Sequence, residues 1–170
     1  MRVLAVAALA LLVGSGAAAV AAPSDAATAD LLDLPVRRGD AAPVPLRDVV
    51  GDGRAVVTFW ASYCAPCRAE VPTLDVAARR WAARDVRIIG VAVDLGDAAE
   101  VARVAADWGI HYDTYWIHPG AQERAQRIMP EGLPTSFAIW KDRIVRHPKY
   151  LDPPGLEKLI VEHLGVAAPE

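Results

Sequence analysis

Short apolar runs alternate along the chain with stretches in which apolar residues recur every three or four positions. Residues 55–60 and 86–93 consist almost entirely of apolar, β-branched side chains, as expected for strands covered on both faces of a sheet. After residue 64 the apolar positions take helical spacing, which predicts a helix with one face against the core. Those positions are Val71, Leu74, Ala78 and Trp81.

The alternation of strands and helices continues through the second half of the chain. The predicted elements are a helix from Asp97 to Gly109, a strand over 112–117, a short helix over 121–129, strands over 137–140 and 144–147, and a last helix between Asp152 and Gly165. The early alternation indicates a parallel sheet with crossover helices, and the late pair of strands adds an antiparallel hairpin. We therefore predict an α/β fold with a mixed β-sheet flanked by helices.

Residues 1–22 have the features of a signal peptide. Arg2 precedes an unbroken apolar run over 3–13, and small residues follow, with a small-x-small pattern at 19–21. We expect cleavage at the end of this segment. The alternative is an uncleaved membrane anchor, because residues 3–22 could just span a bilayer.

The chain that follows is expected to form a linker and then one domain. Residues 23–33 show little periodicity and are expected to be the linker, and residues 34–166 to form the domain. Residues 34–50 hold short apolar stretches broken by prolines and a glycine, which favours an N-terminal hairpin or edge strand. The formal net charge of −3 and the pI of about 5.8 give no reason to expect nucleic acid or an anionic membrane surface as a partner.

The chain has two cysteines, Cys64 and Cys67, separated by two residues. A bridge between them would close almost no loop, so it would add little stability to the fold. A structural zinc site needs about four ligands, and two cysteines with four scattered histidines do not form a pattern for one. The pair is therefore better suited to thiol chemistry than to a structural role.

Cys64 stands where the strand over 55–60 ends and the next helix begins. Unpaired backbone N–H groups and the positive end of the helix dipole lie at such a junction, and both favour thiolate over thiol. We therefore expect Cys64 to attack a disulfide and Cys67, one turn further along, to resolve the mixed disulfide.

The segment from Val57 to Pro72 reads Val-Thr-Phe-Trp-Ala-Ser-Tyr-Cys-Ala-Pro-Cys-Arg-Ala-Glu-Val-Pro. It resembles the active-site segment of thioredoxin-fold oxidoreductases, and it is most similar to their exported TlpA/ResA-like branch. The resemblance implies a thioredoxin-like fold with an inserted helix and strand and an N-terminal hairpin. It also implies a protein thiol–disulfide oxidoreductase with Cys64 and Cys67 as catalytic residues and no cofactor besides their redox-active disulfide.

The resemblance extends to a second segment, Leu133-Pro134-Thr135. In this family a proline at that position follows a cis peptide bond and faces the cysteines, and the same is implied here for Pro134. The backbone of Leu133 would then be exposed as an edge with which an extended substrate segment can pair.

The sequence leaves more than one candidate for the acid that exchanges protons with the thiols. Thioredoxins carry a buried acid where this chain has Thr58, so the proton acceptor for Cys67 must be another group or water. The resemblance implies an acid just after the second buried strand, at Asp97 or at its competitor Asp94, although Asp97 could simply cap the following helix. Glu70 is expected to be exposed to solvent.

Three neighbours of the cysteines are further candidates for tuning the pair. Tyr63 is expected to form an apolar lip beside Cys64, and Trp60 to pack under the active-site helix. Pro66 stands between the cysteines, where no histidine adds a cation beside the thiolate. We therefore expect a reduction potential nearer to about −270 mV than to about −120 mV.

The leading hypothesis is an exported reductase of protein disulfides, in the periplasm or on the extracytoplasmic face of the membrane. The resemblance suggests apocytochrome c as a substrate, in cytochrome c biogenesis, and a thiol donor in the membrane would have to supply the electrons. We expect a monomer that binds no nucleic acid.

Two alternative functions stay open at this point, and a third is disfavoured. One is a disulfide-forming oxidant, and another is a copper-binding protein that uses the cysteines together with His118 or His147. A peroxidase is disfavoured by Ala61, because peroxidases of this kind need Thr or Ser three residues before the reactive cysteine.

Overall fold

The computed structural model describes residues 25–94 and 96–168, so the segment interpreted as a signal peptide lies outside the described residues. The helices are α1 (Asp25–Leu32), α2 (Leu46–Val50), α3 (Ala65–Ala82), α4 (Ala98–Trp108), α5 (Gln122–Ile128) and α6 (Pro153–Leu164). The strands are β1 (Pro35–Arg37), β2 (Val44–Pro45), β3 (Arg54–Trp60), β4 (Val86–Ala92), β5 (Asp113–Ile117), β6 (Thr135–Trp140) and β7 (Arg143–His147).

In the described part of the chain the strands form a single sheet in the order β2-β1-β5-β4-β3-β6-β7. The central strands β3, β4 and β5 are parallel, whereas β6 is antiparallel to β3 and β7 is antiparallel to β6. β1 and β2 pair as an antiparallel hairpin at the other end of the sheet. The predicted mixed sheet, with hairpins at both ends, is therefore confirmed.

The core lies on both faces of the sheet, and β3 contributes to both. Val57 and Phe59 pack in a cluster with residues of α1, α2 and α5. Val56 points to the opposite face, where it packs with residues of α3 and α6. Because both faces are covered, the strand has to be apolar almost throughout, which is the pattern that its sequence shows.

The helix α1 corrects the expectation of a linker over residues 23–33. Residues 25–32 are helical, and Leu31 at the end of the helix is 1% exposed. Leu31 packs in the same buried cluster as Ala125 and Ile128 of α5. The folded unit thus begins before residue 34, and the linker expectation is wrong for residues 25–32.

Two local features concern the ends and the continuity of the elements. The turn between β6 and β7 has no glycine, and Lys141 takes its left-handed backbone conformation with φ of 55°. α3 continues through Pro72, although proline removes one backbone hydrogen bond from a helix.

Among the described residues, none of the helices combines the length and the apolar character needed to cross a bilayer.

Candidate active site

Cys64 and Cys67 are joined by a disulfide at the start of α3, with 2.04 Å between the sulfur atoms. β3 ends at Trp60, and the N–H of Cys64 donates to the carbonyl of Ala61 at 2.9 Å, which closes the turn into the helix. Cys64 is the N-cap residue of α3, and its Sγ accepts a hydrogen bond from the N–H of Cys67 at 3.2 Å. The N–H of Cys67 in the first turn therefore points at the sulfur of Cys64, at the positive end of the helix dipole.

An open cavity of about 560 Å³ lies against Cys64 but is not lined by Cys67. Its walls come from the active-site turn, from the end of β4, from α5 and from the loop before β6. Residues from these four segments include Tyr63, Pro66, Val93, Gln126, Met129 and Leu133. Tyr63 is 77% exposed, so it stands at the rim of the cavity as the predicted lip. The cavity gives an incoming group access to one cysteine of the pair.

The segment 133–135 contributes one residue to the wall of this cavity. The peptide bond between Leu133 and Pro134 is cis. Leu133 lines the cavity, whereas Thr135 is fully buried and its hydroxyl donates to the carbonyl of Gly132 at 2.6 Å. A hydrogen bond within the loop thus stabilises its conformation, and Leu133 is the loop residue that lines the same cavity as Cys64.

The two candidate acids after β4 have different surroundings. Asp97 is the N-cap of α4, and its carboxylate accepts from the N–H of Glu100 at 2.8 Å. Asp94 instead accepts from the N–H of Ser62 at 3.0 Å and from its hydroxyl at 2.6 Å. Asp94 therefore holds the turn that leads into Cys64, while Asp97 caps a helix.

Glu70 is buried, so the expectation that it would be exposed is wrong. It lies on α3 one turn after Cys67, its exposed fraction is 1%, and its carboxylate accepts a hydrogen bond from the N–H of Leu151. Burial raises the pKa of Glu70 to about 7, although the Leu151 N–H opposes the shift. Residues three apart on a helix lie on the same face. The structure thus places a buried acid with a raised pKa on the same face of α3 as Cys67.

The helical spacing around Glu70 contains a signal for its burial. Cys67, Glu70, Leu74 and Trp81 follow one another on the inward face of α3. When only the residue type is considered, a glutamate is predicted to be exposed to solvent, because glutamate is rarely buried without a partner. The partner, Leu151, is supplied by a segment 81 positions further along the chain.

Trp60 packs beneath the active-site turn, as expected. It is 2% exposed, its ring lies 5.2 Å from that of Trp108, and it belongs to the same buried cluster as both cysteines. Its Nε1 is buried without a hydrogen-bond partner among the described residues. Trp60 thus provides an apolar base under the disulfide.

Metal binding has no support from the arrangement of side chains. Among residues 25–94 and 96–168, no group of three or more His, Cys, Asp or Glu side chains is placed to hold a metal ion. His118 lies beside Pro35 at the end of β5, and His147 ends β7. No observation thus favours the copper-binding alternative.

Comparison with known proteins agrees with this site. A family model described as the AhpC/TSA family matches residues 25–148, which is more than half of the chain. The chain belongs to this family. Ala61 stands three residues before Cys64, so the site lacks the hydroxyl that a peroxidase of this kind needs.

The named relatives are thiol–disulfide oxidoreductases. The chain is 30% identical over 103 residues to the thiol-disulfide oxidoreductase ResA of Bacillus anthracis, covering 58% of this chain and 55% of that protein. It is 34% identical over 100 residues to ResA of Oceanobacillus iheyensis, covering 59% and 50%. The chain thus spans about half the length of the curated relatives it matches. These matches confirm the resemblance to the ResA-like branch.

Solved structures confirm the thioredoxin-like fold. A thioredoxin-related protein from Neisseria meningitidis serogroup B superimposes with a TM-score of 0.64, covering 77% of this chain and 99% of that one at 14% identity.

Proposed function

We propose that this protein is an exported reductase of protein disulfides, with Cys64 as the attacking thiol and Cys67 as the resolving thiol. The observation that carries the proposal is the asymmetry of the pair: Cys64 lines the open cavity, whereas Cys67 is buried and does not line it. An incoming disulfide can therefore reach the sulfur of Cys64 first. The N–H groups at the start of α3 favour the thiolate there.

The reaction begins with the reduced pair. The Cys64 thiolate attacks one sulfur of a substrate disulfide, forms a mixed disulfide and releases the first substrate thiolate. Cys67 then loses its proton and attacks the Cys64 sulfur, which re-forms the Cys64–Cys67 disulfide and releases the second substrate thiolate. Two electrons pass from the protein to the substrate. An external dithiol has to return them before the next turnover.

Glu70 supports this sequence as the proton acceptor for Cys67. It lies one turn further along the same buried face, and burial raises its pKa to about 7, so its carboxylate can take the thiol proton near neutral pH. This assignment fills the position left open by Thr58, which is buried on β3 but carries no acid.

The substrate is proposed to be an extended segment with a cysteine, which lies between the rim at Tyr63 and the loop at Leu133. The position of Leu133 in the cavity wall supports strand-like pairing of its backbone with such a segment. Apocytochrome c, a membrane thiol donor and an extracytoplasmic location remain part of the proposal, on the strength of the resemblance and of the apolar N-terminal segment.

The test is to trap the mixed disulfide in the exported full-length protein. Cys67→Ser should accumulate covalent complexes through Cys64, since nothing remains to resolve them, and the partners can be identified after non-reducing electrophoresis. Cys64→Ser is the matched control and should trap none. If the two variants trapped equally, the assignment of roles would be wrong.

The direction of the reaction is tested separately by a redox titration of the purified protein. We expect a potential closer to about −270 mV than to about −120 mV, and a value above about −180 mV would favour the oxidant alternative.

A further inference from the structure

The cavity beside the disulfide is lined only by uncharged side chains, among the residues that the structure describes. Its apolar part includes Val93, Met129 and Leu133, and its polar part includes Gln122 and Gln126 of α5. A group that enters such a cavity loses part of its contact with water. An uncharged side chain tolerates this loss, whereas a charged one is destabilised unless an opposite charge lies nearby.

The orientation of α5 separates its charged side chains from its carboxamides. Glu123, Arg124 and Arg127 line a different pocket, beside the loop that precedes the helix. Arg124 also donates to the backbone carbonyl of the residue that follows α1, at 3.0 Å. Gln122 and Gln126 are four positions apart, so they lie on one face of the helix, and that face lines the cavity. The uncharged wall is therefore a consequence of how α5 packs against α1.

The two carboxamides are suited to a peptide backbone. The N–H of Gly120 donates to Oε1 of Gln122 at 2.8 Å, which orients this side chain and leaves its NH2 group as a donor. Gln126 is exposed and offers both an oxygen acceptor and an NH2 donor. These groups can hydrogen-bond the N–H and C=O groups of an extended segment without adding a charge to the cavity.

The acid that follows the cavity wall in the sequence does not supply a counter-charge there. Asp94 comes directly after Val93, but its carboxylate accepts from the N–H of Ser62 at 3.0 Å and from its hydroxyl at 2.6 Å. Asp94 itself does not line the cavity. The wall therefore offers no ion-pair partner to a charged side chain of a substrate.

We propose that the cavity selects substrate segments in which an uncharged side chain lies next to the reacting cysteine, and that Gln126 is a specificity-determining residue. An acidic neighbour is disfavoured because its carboxylate would be desolvated without a partner. A lysine is disfavoured less, because its long side chain can carry the ammonium group back to water. The inference rests on the proposed function, since it names the kind of disulfide on which Cys64 acts.

The test is single-turnover reduction of short peptides by the full-length protein. Each peptide is a symmetric disulfide of a segment with one cysteine, so either sulfur presents the same neighbours to Cys64. Two pairs differ in the residue beside the cysteine: asparagine against aspartate, and methionine against lysine. Each rate is divided by the rate at which dithiothreitol reduces the same peptide, because a charged neighbour also changes the reactivity of the peptide sulfur.

The wild type should prefer the uncharged member of each pair. We expect the normalised rate to be about tenfold lower for aspartate than for asparagine, and about threefold lower for lysine than for methionine. The thiolate of dithiothreitol repels or attracts a charged peptide as the Cys64 thiolate does, so the ratio reports the cavity rather than the thiolate.

Substitutions on α5 test the role of Gln126. Gln126→Lys places a cation in the wall, so the preference for asparagine over aspartate should fall to about twofold. Gln126→Glu should reduce the preference for methionine over lysine and increase that for asparagine over aspartate. Glu123→Gln is the matched control for Gln126→Lys, because it changes the net charge by the same amount and sign on the side of α5 that lines the other pocket. It should leave both preferences unchanged.

Two results would overturn the proposal. One is a wild-type protein whose normalised rates are equal within each pair. The other is a Gln126→Lys protein that discriminates against aspartate as strongly as the wild type does, because the selectivity would then originate elsewhere. Reduction of a small linear disulfide at nearly the wild-type rate in each variant verifies that the chemistry of Cys64 is intact.

Failure of the proposed function is distinguishable from failure of the specificity. If the reduced protein reduces none of the peptides, the reductase proposal fails. The same peptides are then supplied as thiols to the oxidised protein, and the preference within each pair decides the specificity, since the same cavity receives the segment. Absence of exchange in both directions would overturn both proposals. If reduction proceeds without a preference, the specificity fails while the reductase stands.

Discussion

The carboxylate of Glu70 on α3 accepts a hydrogen bond from the backbone N–H of Leu151, just before α6. The contact joins the active-site helix to the segment that precedes α6, and it gives a buried acid one hydrogen-bond donor. Desolvation outweighs that donor, so the pKa of Glu70 is raised from 4.5 to about 7. The protonation state of the site therefore affects both stability and chemistry.

The first prediction concerns stability and pH. Between 4.5 and about 7 the folded protein holds a proton on Glu70 that the unfolded chain has released. The free energy of unfolding should therefore fall as the pH rises through this window, by at most about 3 kcal/mol. Glu70→Gln can accept the same N–H without ionising, so this part of the pH dependence should vanish. Urea unfolding at about pH 5 and about pH 8 measures the difference.

The matched control for this prediction is Glu162→Gln. Glu162 lies on α6 with 50% of its side chain exposed and a weak contact of 3.9 Å to Lys158. Its removal should change stability little at either pH, because exposed ion pairs contribute little. Equal loss of stability with rising pH in Glu70→Gln and in the wild type would contradict the assignment of the proton to Glu70.

The second prediction concerns the resolving step. If Glu70 takes the proton of Cys67, Glu70→Gln should slow the release of a substrate held on Cys64 by about 100-fold, the usual scale of general-base catalysis. Alkylation of Cys64 in the reduced protein should change little, since that thiol faces the cavity. Single-turnover release of a chromogenic thiol measures the step. An equal slowing of alkylation and release would point to a general distortion of the site instead.

The structural features that depend only on residues close together in the chain could be predicted from the sequence. The strand, the turn and the helix around Cys64 follow from local apolar spacing, and the cap at Asp97 follows from a three-residue pattern. The hydrogen bonds from Ser62 to Asp94 join residues 32 positions apart, and no local pattern indicates them. Their geometry depends on the parallel pairing of β3 and β4, which brings the two strand ends together.

Burial of Glu70 and the helical state of residues 25–32 could not be predicted for a related reason. Both depend on partners far along the chain: Leu151 for Glu70, and residues of α5 for Leu31. From residue type alone, a glutamate is expected to be exposed to solvent and a short alanine-rich stretch to form a linker. Tertiary packing overrides these local preferences.

The third prediction concerns the packing under the disulfide. A Cβ added at Gly90 on β4 would lie 2.8 Å from the Tyr112 ring and 3.1 Å from Trp60 Nε1. Gly90→Ala should therefore displace one of these rings and lower the free energy of unfolding by about 2 kcal/mol. Gly96→Ala is the control, because a Cβ there meets nothing within 4 Å. Urea unfolding followed by tryptophan fluorescence compares them, and equal stability of the two variants would contradict the close contact.

The fourth prediction concerns the cavity beside Cys64. Gln126 on α5 is exposed and lines the cavity, so Gln126→Trp should fill part of its volume of about 560 Å³. A protein substrate that binds there should lose about tenfold in kcat/KM, the equivalent of about 1.4 kcal/mol of binding. A small linear disulfide, which needs only the Cys64 sulfur, should react at nearly the wild-type rate. The ratio of the two rates separates loss of binding from loss of thiol reactivity.

Glu123→Trp provides the control for this substitution on the same helix. Glu123 is exposed but lies on the side of α5 that faces Pro119 and Arg127, away from the cavity. The larger side chain introduced by Glu123→Trp should leave the reduction rates of the protein substrate and of the small disulfide near wild type, because it does not enter the path to Cys64. If Gln126→Trp left the reduction of a protein substrate unchanged, or if Glu123→Trp impaired it equally, the substrate segment would have to bind elsewhere than between Tyr63 and Leu133.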